Sequence, residues 1–220
     1  MSIDLYSGTP GSGKSLHAAR RITQCLKTGT PVIGNFPVNL EFFRNKKGRM
    51  PRLAPYYYIT NSHLSVPFLK DYSKRFIERN KMHQCLVVID ECQILFNPRS
   101  SKPDLMQWVE FLPQHRKYGY DVLLVTPHDT FIDRQIRTCI EDEYKHRSLK
   151  NYGVWGWLFS LVIGEWFWVN SYWYGSKLKL SSDVFRFNKK LTALYDSFRL
   201  FAENQGEDDD YEQFTKKETE

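Results

Sequence analysis

A chain of 220 residues, 41% apolar and 15% aromatic, can bury a sizeable core as one α/β domain with appendages. Its net charge of +6 is uneven: residues 203–220 hold eight acids and two lysines, which leaves the body through Ala202 near +12, a balance that suits an anionic partner. Cys25, Cys85, Cys92 and Cys139 form no CxxC pair, and His63, His83, His115, His128 and His146 lack ligand spacing, which excludes a disulfide framework and a zinc site.

The first predicted element is a short strand through Ile3, Leu5 and Tyr6. It runs directly into Gly8-Thr9-Pro10-Gly11-Ser12-Gly13-Lys14-Ser15, after which Leu16, Ala19, Ile22 and Leu26 follow at helical spacing. A glycine-rich stretch between strand and helix, closed by lysine and serine, is a phosphate-binding P-loop. Gly8, Gly11 and Gly13 permit backbone conformations closed to other residues, so successive N–H groups can converge on one point. The helix N-terminus adds its partial positive charge. The expected ligands are ATP and Mg2+, with Lys14 on the β- and γ-phosphates and the Ser15 hydroxyl on the metal.

Residues 31–36 predict a second strand, and Tyr56-Tyr57-Tyr58-Ile59 a third, with a charged loop over 44–49 between them. Residues 68–81 place Leu69, Tyr72, Phe76 and Ile77 at helical spacing. They lead into Leu86-Val87-Val88-Ile89, an aliphatic run expected to be buried on both faces of a parallel sheet. The run ends in Asp90-Glu91, where ligands of such sheets gather. Asp90 is placed to hold magnesium and Glu91 to orient or deprotonate an attacking water. A Pro/Ser loop over 97–103, a helix over 105–118 and the strand Val122-Leu123-Leu124-Val125-Thr126 complete the core.

At least one strand falls in sequence between the P-loop strand and the acidic strand, and a glutamate follows the aspartate. The pattern predicts an additional-strand (RecA-like or AAA-like) P-loop NTPase, a mostly parallel sheet flanked by helices, that hydrolyses ATP. It argues against nucleotide kinases and small GTPases. Thr126, at a strand end with His128 close behind, is the candidate γ-phosphate sensor. Arg116, Arg134 and above all Arg137 are candidates for an arginine finger toward a neighbouring subunit. That predicts a homo-oligomer, with a ring as one form it could take.

Residues 151–176 carry a single charge, Glu165, and five tryptophans, Trp155, Trp157, Trp166, Trp168 and Trp173. Trp155, Trp157 and Phe159 alternate in one half, and Trp166, Trp168, Asn170 and Tyr172 in the other, around Ile163-Gly164-Glu165: a β-hairpin pattern. A membrane-surface element, or a span carrying the cost of Glu165, are the other readings of the segment. A final helix over 184–201, with a stripe of Leu191, Leu194, Tyr195, Phe198 and Leu200, is expected to pack on the sheet. The resulting organisation is an ATPase core over 1–150, an aromatic hairpin plus helix over 151–202 and an acidic, disordered tail over 203–220. No charged-then-apolar leader opens the chain.

The P-loop and Val87-Val88-Ile89-Asp90-Glu91-Cys92-Gln93 resemble the Zot family, which comprises zonula occludens toxin and the gene I assembly proteins of filamentous bacteriophages. So do His115-Arg116-Lys117-Tyr118-Gly119-Tyr120-Asp121 and Ile132-Asp133-Arg134-Gln135-Ile136-Arg137. The likeness covers roughly residues 1–149 and continues more loosely to Tyr195-Asp196-Ser197. It departs at Thr126-Pro127-His128, where a glutamine would follow the threonine. The resemblance implies an ATP-driven motor for virion assembly and extrusion, working at the cytoplasmic face of the host inner membrane. Its implied partners are other phage assembly proteins, the phage filament or its DNA, and the membrane through a span absent from this chain. A soluble nucleic-acid translocase or DNA-packaging ATPase is the alternative that the basic body would serve.

Overall fold

The computed structural model describes residues 1–78, 81–99, 102–151, 164–192 and 194. Its centre is an eight-stranded sheet of β1 (Ile3–Ser7), β2 (Val32–Gly34), β3 (Tyr56–Tyr58), β4 (Cys85–Ile89), β5 (Tyr120–Thr126), β6 (Asp142–Ser148), β7 (Trp166–Trp173) and β8 (Leu178–Arg186). The spatial order is β3-β2-β4-β5-β1-β6-β7-β8. The strands are parallel from β3 to β6, and β7 and β8 are antiparallel additions. β5 lies between β1 and β4, so the additional-strand arrangement holds. The inserted strand is the one after the acidic strand. β2 and β3, which precede it in sequence, lie outside β4 and do not separate the two site strands.

Burial on both faces explains why β4 and β5 are continuous apolar runs. One face of the sheet packs on α2 (Val66–Phe76) and α3 (Lys102–Phe111), through Leu69, Trp108, Phe111 and the strand residues Leu5, Val87 and Leu124. The other packs on α1 (Lys14–Thr28), through Ala19, Ile22 and Leu26 against Tyr6, Val88 and Leu123. α1 begins and ends on left-handed glycines, Gly13 and Gly29, the second an αL cap that stops the helix. The predicted helix over 105–118 is α3 followed by a 3-10 turn, Leu112–Tyr118, because Pro113 supplies no N–H to continue the α-helical ladder.

Three features depart from the sequence expectations. β6 was not anticipated: its sequence, Asp142-Glu143-Tyr144-Lys145-His146-Arg147-Ser148, has no apolar alternation, yet it pairs with β1 and buries Glu143 and His146. The aromatic hairpin is offset. β7 alternates half-buried and buried residues as expected, but its neighbours are β6 and β8, and the hairpin turn lies at 174–177. The expected partner half around Trp155, Trp157 and Phe159, and with it the membrane readings of that half, lies outside the described residues, as does the acidic tail. Glu165 pairs with Lys150 at the joint between β6 and β7. The helix expected over 184–201 starts late: Val184 to Arg186 close β8, a short helix spans Lys189–Thr192, and Leu194 is buried against the α1 face. Among the described residues, no helix is long and apolar enough to cross a membrane.

Candidate functional site

The site forms at the carboxyl ends of β1, β4 and β5. β1 delivers the chain into Gly8, whose amide donates to the Pro127 carbonyl (3.1 Å) just beyond β5, so the loop is tied to the end of that strand. Gly8, Gly11 and Gly13 take φ of 145°, 73° and 93°, which gives the loop its inward turn. A Cβ at Gly8 would lie 2.5 Å from the His146 carbonyl oxygen, and one at Gly13 would lie 2.6 Å from Cγ of Phe167. Only glycine fits at either position. The Ser12 hydroxyl is buried without a partner, an orphaned donor within the loop itself.

Lys14, the first residue of α1, is buried and turns its ammonium back onto the loop, donating to the carbonyls of Gly8 (2.7 Å) and Thr9 (3.2 Å). Burial pulls its pKa down, while the Glu91 and Asp90 carboxylates push it back up. The three charges therefore share one environment. Asp90 is buried at the end of β4, and burial lifts its pKa to about 7, helped by the neighbouring Glu91 charge and opposed by Lys14. Glu91 is exposed and sits in the left-handed region at φ 46°, a strained setting for a non-glycine residue, with Gln93 donating to its carboxylate. Strain of this kind persists where the surroundings fix it.

What holds Asp90 is not visible in its own stretch of sequence. Asn35, just past β2, accepts from the Asp90 amide (2.7 Å) and donates to the Asp90 carbonyl (2.8 Å). Nδ2 of Asn35 also donates to Asn61 Oδ1 at 2.8 Å. A side-chain amide thus extends the β2–β4 ladder by one more pair and fixes the backbone of the metal-ligand candidate. Only the end-of-strand position of Asn35 could have pointed to it.

Other expected residues are placed less directly. Ser15 is half-buried in the first turn of α1. Thr126 is fully buried beside Ser7 in register, with its hydroxyl donating to the His128 carbonyl (3.2 Å). Arg137 ends the short helix α4 (Arg134–Arg137), and its charge acts on the Tyr174 hydroxyl of its own chain, beyond β7. Arg116 pairs with Glu141 (2.7 Å), and Arg134 is exposed. The phrase from His115 to Asp121 enters β5 at the amino end of the sheet, opposite the P-loop. There His115 is bonded to Leu112 and Tyr120 to Leu69, so the phrase is architectural. The four cysteines are free thiols.

The donor set fits a magnesium–polyphosphate group: a backbone nest, an orphaned buried hydroxyl, one ammonium and a buried carboxyl. Among the described residues no cluster of three or more His, Cys, Asp or Glu side chains could hold a metal alone.

A strand, P-loop and helix, with an acidic strand one strand away, define a P-loop NTPase of the additional-strand division. The chain belongs to the Zot family: the family described as "Zonular occludens toxin (Zot)" matches residues 2–197. The Gene 1 protein of Enterobacteria phage I2-2 is 28% identical over 179 residues, covering 74% of this chain and 46% of that protein. The N-terminal domain of zonular occludens toxin from Neisseria meningitidis superposes with a TM-score of 0.53 at 20% identity, over 89% of this chain and 98% of that one. B204, the DNA-packaging ATPase of Sulfolobus Turreted Icosahedral Virus, gives a TM-score of 0.52 at 15% identity, over 85% and 98%. These structural likenesses show the fold. The chain spans less than half the length of the curated relatives it matches.

Proposed function

We propose that this chain is the ATP-hydrolysing domain of a filamentous-phage assembly protein, working as a homo-oligomer at the cytoplasmic face of the host inner membrane. The observation that carries the ATPase part is the meeting of Lys14, Asp90 and Glu91 in one electrostatic environment at the mouth of a P-loop. Membership of the Zot family and the likeness to a phage Gene 1 protein support the assembly role. The likeness to a DNA-packaging ATPase keeps a nucleic-acid translocase as the second reading, which strong stimulation of turnover by DNA would favour.

The chain's own residues divide the work. The loop amides and the α1 N-terminus receive the phosphates, and Lys14 exchanges the Gly8 and Thr9 carbonyls for β- and γ-phosphate oxygens. Ser15 and Asp90 would hold magnesium, which when bound neutralises charge on the phosphate oxygens. Glu91 orients the water and takes its proton. Thr126 would sense the γ-phosphate by releasing the His128 carbonyl. Arg137 would act toward another subunit.

The test is MgATP binding and turnover by the parent and by Lys14→Ala. The variant is expected to lose at least about 2 kcal/mol of nucleotide affinity, the worth of charge-assisted bonds in a buried site. Equal affinity in the two proteins would overturn the site.

A further inference from the structure

The two ends of the P-loop are set by strands that lie outside the β1–β5 core. At its start, a Cβ on Gly8 would meet the backbone carbonyl of His146 in β6; at its end, a Cβ on Gly13 would meet the ring of Phe167 in β7. At Gly11, near the tip, a Cβ would meet nothing within 4 Å. The loop is therefore clamped at both ends and open between them.

Phe167 is 4% exposed and forms a small cluster with Leu16, Val169 and Phe185. Its ring lies 5.4 Å from that of Phe185 on β8, while Leu16 directly follows Ser15. The other end has a polar linkage. Nδ1 of His146 faces the carbonyls of Tyr144 (2.9 Å) and Ser7 (3.2 Å), so it carries the proton. Nε2 then accepts from Nδ1–H of His17 in the first turns of α1, at 2.9 Å. The His17 ring is stacked on Tyr6 at 4.5 Å and lies 5.3 Å from Phe185. A continuous path thus runs from β8, through His17 and His146, to Ser7, the last residue before the loop. In a close-packed interior the glycine backbone cannot shift toward Phe167 unless the ring moves with it.

We propose that Phe167 and His146 are positioning residues of the nucleotide site, and that the β7–β8 hairpin moves with the P-loop and relays its occupancy. The proposal rests on reading the P-loop as an ATP site, and on Gly8, Gly13 and their two neighbours. The hairpin suits the relay: apart from Phe185, β8 is exposed along its length, so little besides this cluster and the strand ladder holds it.

The experiment titrates the whole chain with a fluorescent, slowly hydrolysed ATP analogue and compares the parent with Phe167→Ala, Phe167→Leu and Val169→Ala. Phe167→Ala should weaken binding about tenfold or more, because a displaced loop loses its aligned donors, with Phe167→Leu recovering most of the affinity. Val169→Ala truncates the same cluster away from the loop and should stay within about threefold of the parent. In the parent, hydrogen exchange over 178–186 should slow when the analogue binds. A folded Phe167→Ala with parental affinity, or equal weakening by Val169→Ala, would overturn the proposal. If Phe167→Ala does not fold, unchanged exchange over 178–186 in the parent overturns it instead. A parent that binds no analogue counts against the ATP site itself.

Discussion

The two halves of the sheet are built on different principles. β4 and β5 are buried along their whole length, have aliphatic centres, and are paired in parallel with neighbours on both sides. β7 alternates, β6 buries only Glu143, His146 and Ser148, and β8 is exposed except at Phe185. The buried half carries the candidate nucleotide-site groups near its strand ends: Lys14 beyond β1, and Asp90 and Glu91 beyond β4. Among the described residues the half-exposed half holds none of these candidates, but it supplies the surfaces that leave room only for glycine at Gly8 and Gly13. Chemistry and position therefore come from different parts of one sheet. The junction between β1 and β6 is where they meet.

Perturbing each half separately sharpens this division. On the core side, Asn35→Ala removes both bonds to the Asp90 backbone from a buried position and leaves the Asp90 amide without that acceptor. We expect a loss of about 2–4 kcal/mol in unfolding free energy. Turnover should fall further than nucleotide affinity, since the carboxylates lose their anchor while the loop keeps its own. Urea denaturation and steady-state kinetics read the two effects. A variant with parental stability would show that the clamp is ornamental.

On the extension side the expected effect depends on pH. Burial pushes the His146 imidazole down to about 3, with the facing His17 and the Lys14 ammonium acting in the same direction. A histidine held neutral in the fold takes its proton first in the unfolded chain. Stability is therefore full above the unfolded pKa near 6.5 and falls as pH drops toward 3, by up to about 1.4 kcal/mol per pH unit. His146→Gln should flatten this acid limb in denaturation curves measured between pH 7 and 4. An identical slope in the variant would place the acid sensitivity elsewhere.

The local motifs were legible because local backbone chemistry defines them. The P-loop needs its glycines, lysine and serine in one stretch, and the acidic strand needs only burial followed by a carboxylate. The division was also legible, although the strand that creates it is β5 and not β2 or β3. β6 was hidden because its buried positions are Glu143 and His146. These are satisfied by Ser7, Lys177 and His17, partners distant in sequence. β8 was hidden because a strand exposed everywhere but at Phe185 shows no buried alternation, and its hydrophobic end, Val184-Phe185, imitates the start of a helix. Asn35, His17 and Phe167 gain their roles only when β2 meets β4 and β7 meets α1, and one chain read residue by residue does not contain those meetings.

Glu91, in the left-handed region beyond β4, is proposed to handle the water while other groups bind the nucleotide. The direct measurement is Glu91→Gln, assayed in parallel for MgATP affinity and single-turnover hydrolysis. Affinity should stay within about threefold, while hydrolysis should fall by about two to four orders of magnitude, the range for loss of a general base. Hydrolysis at the parental rate in that variant would contradict the account.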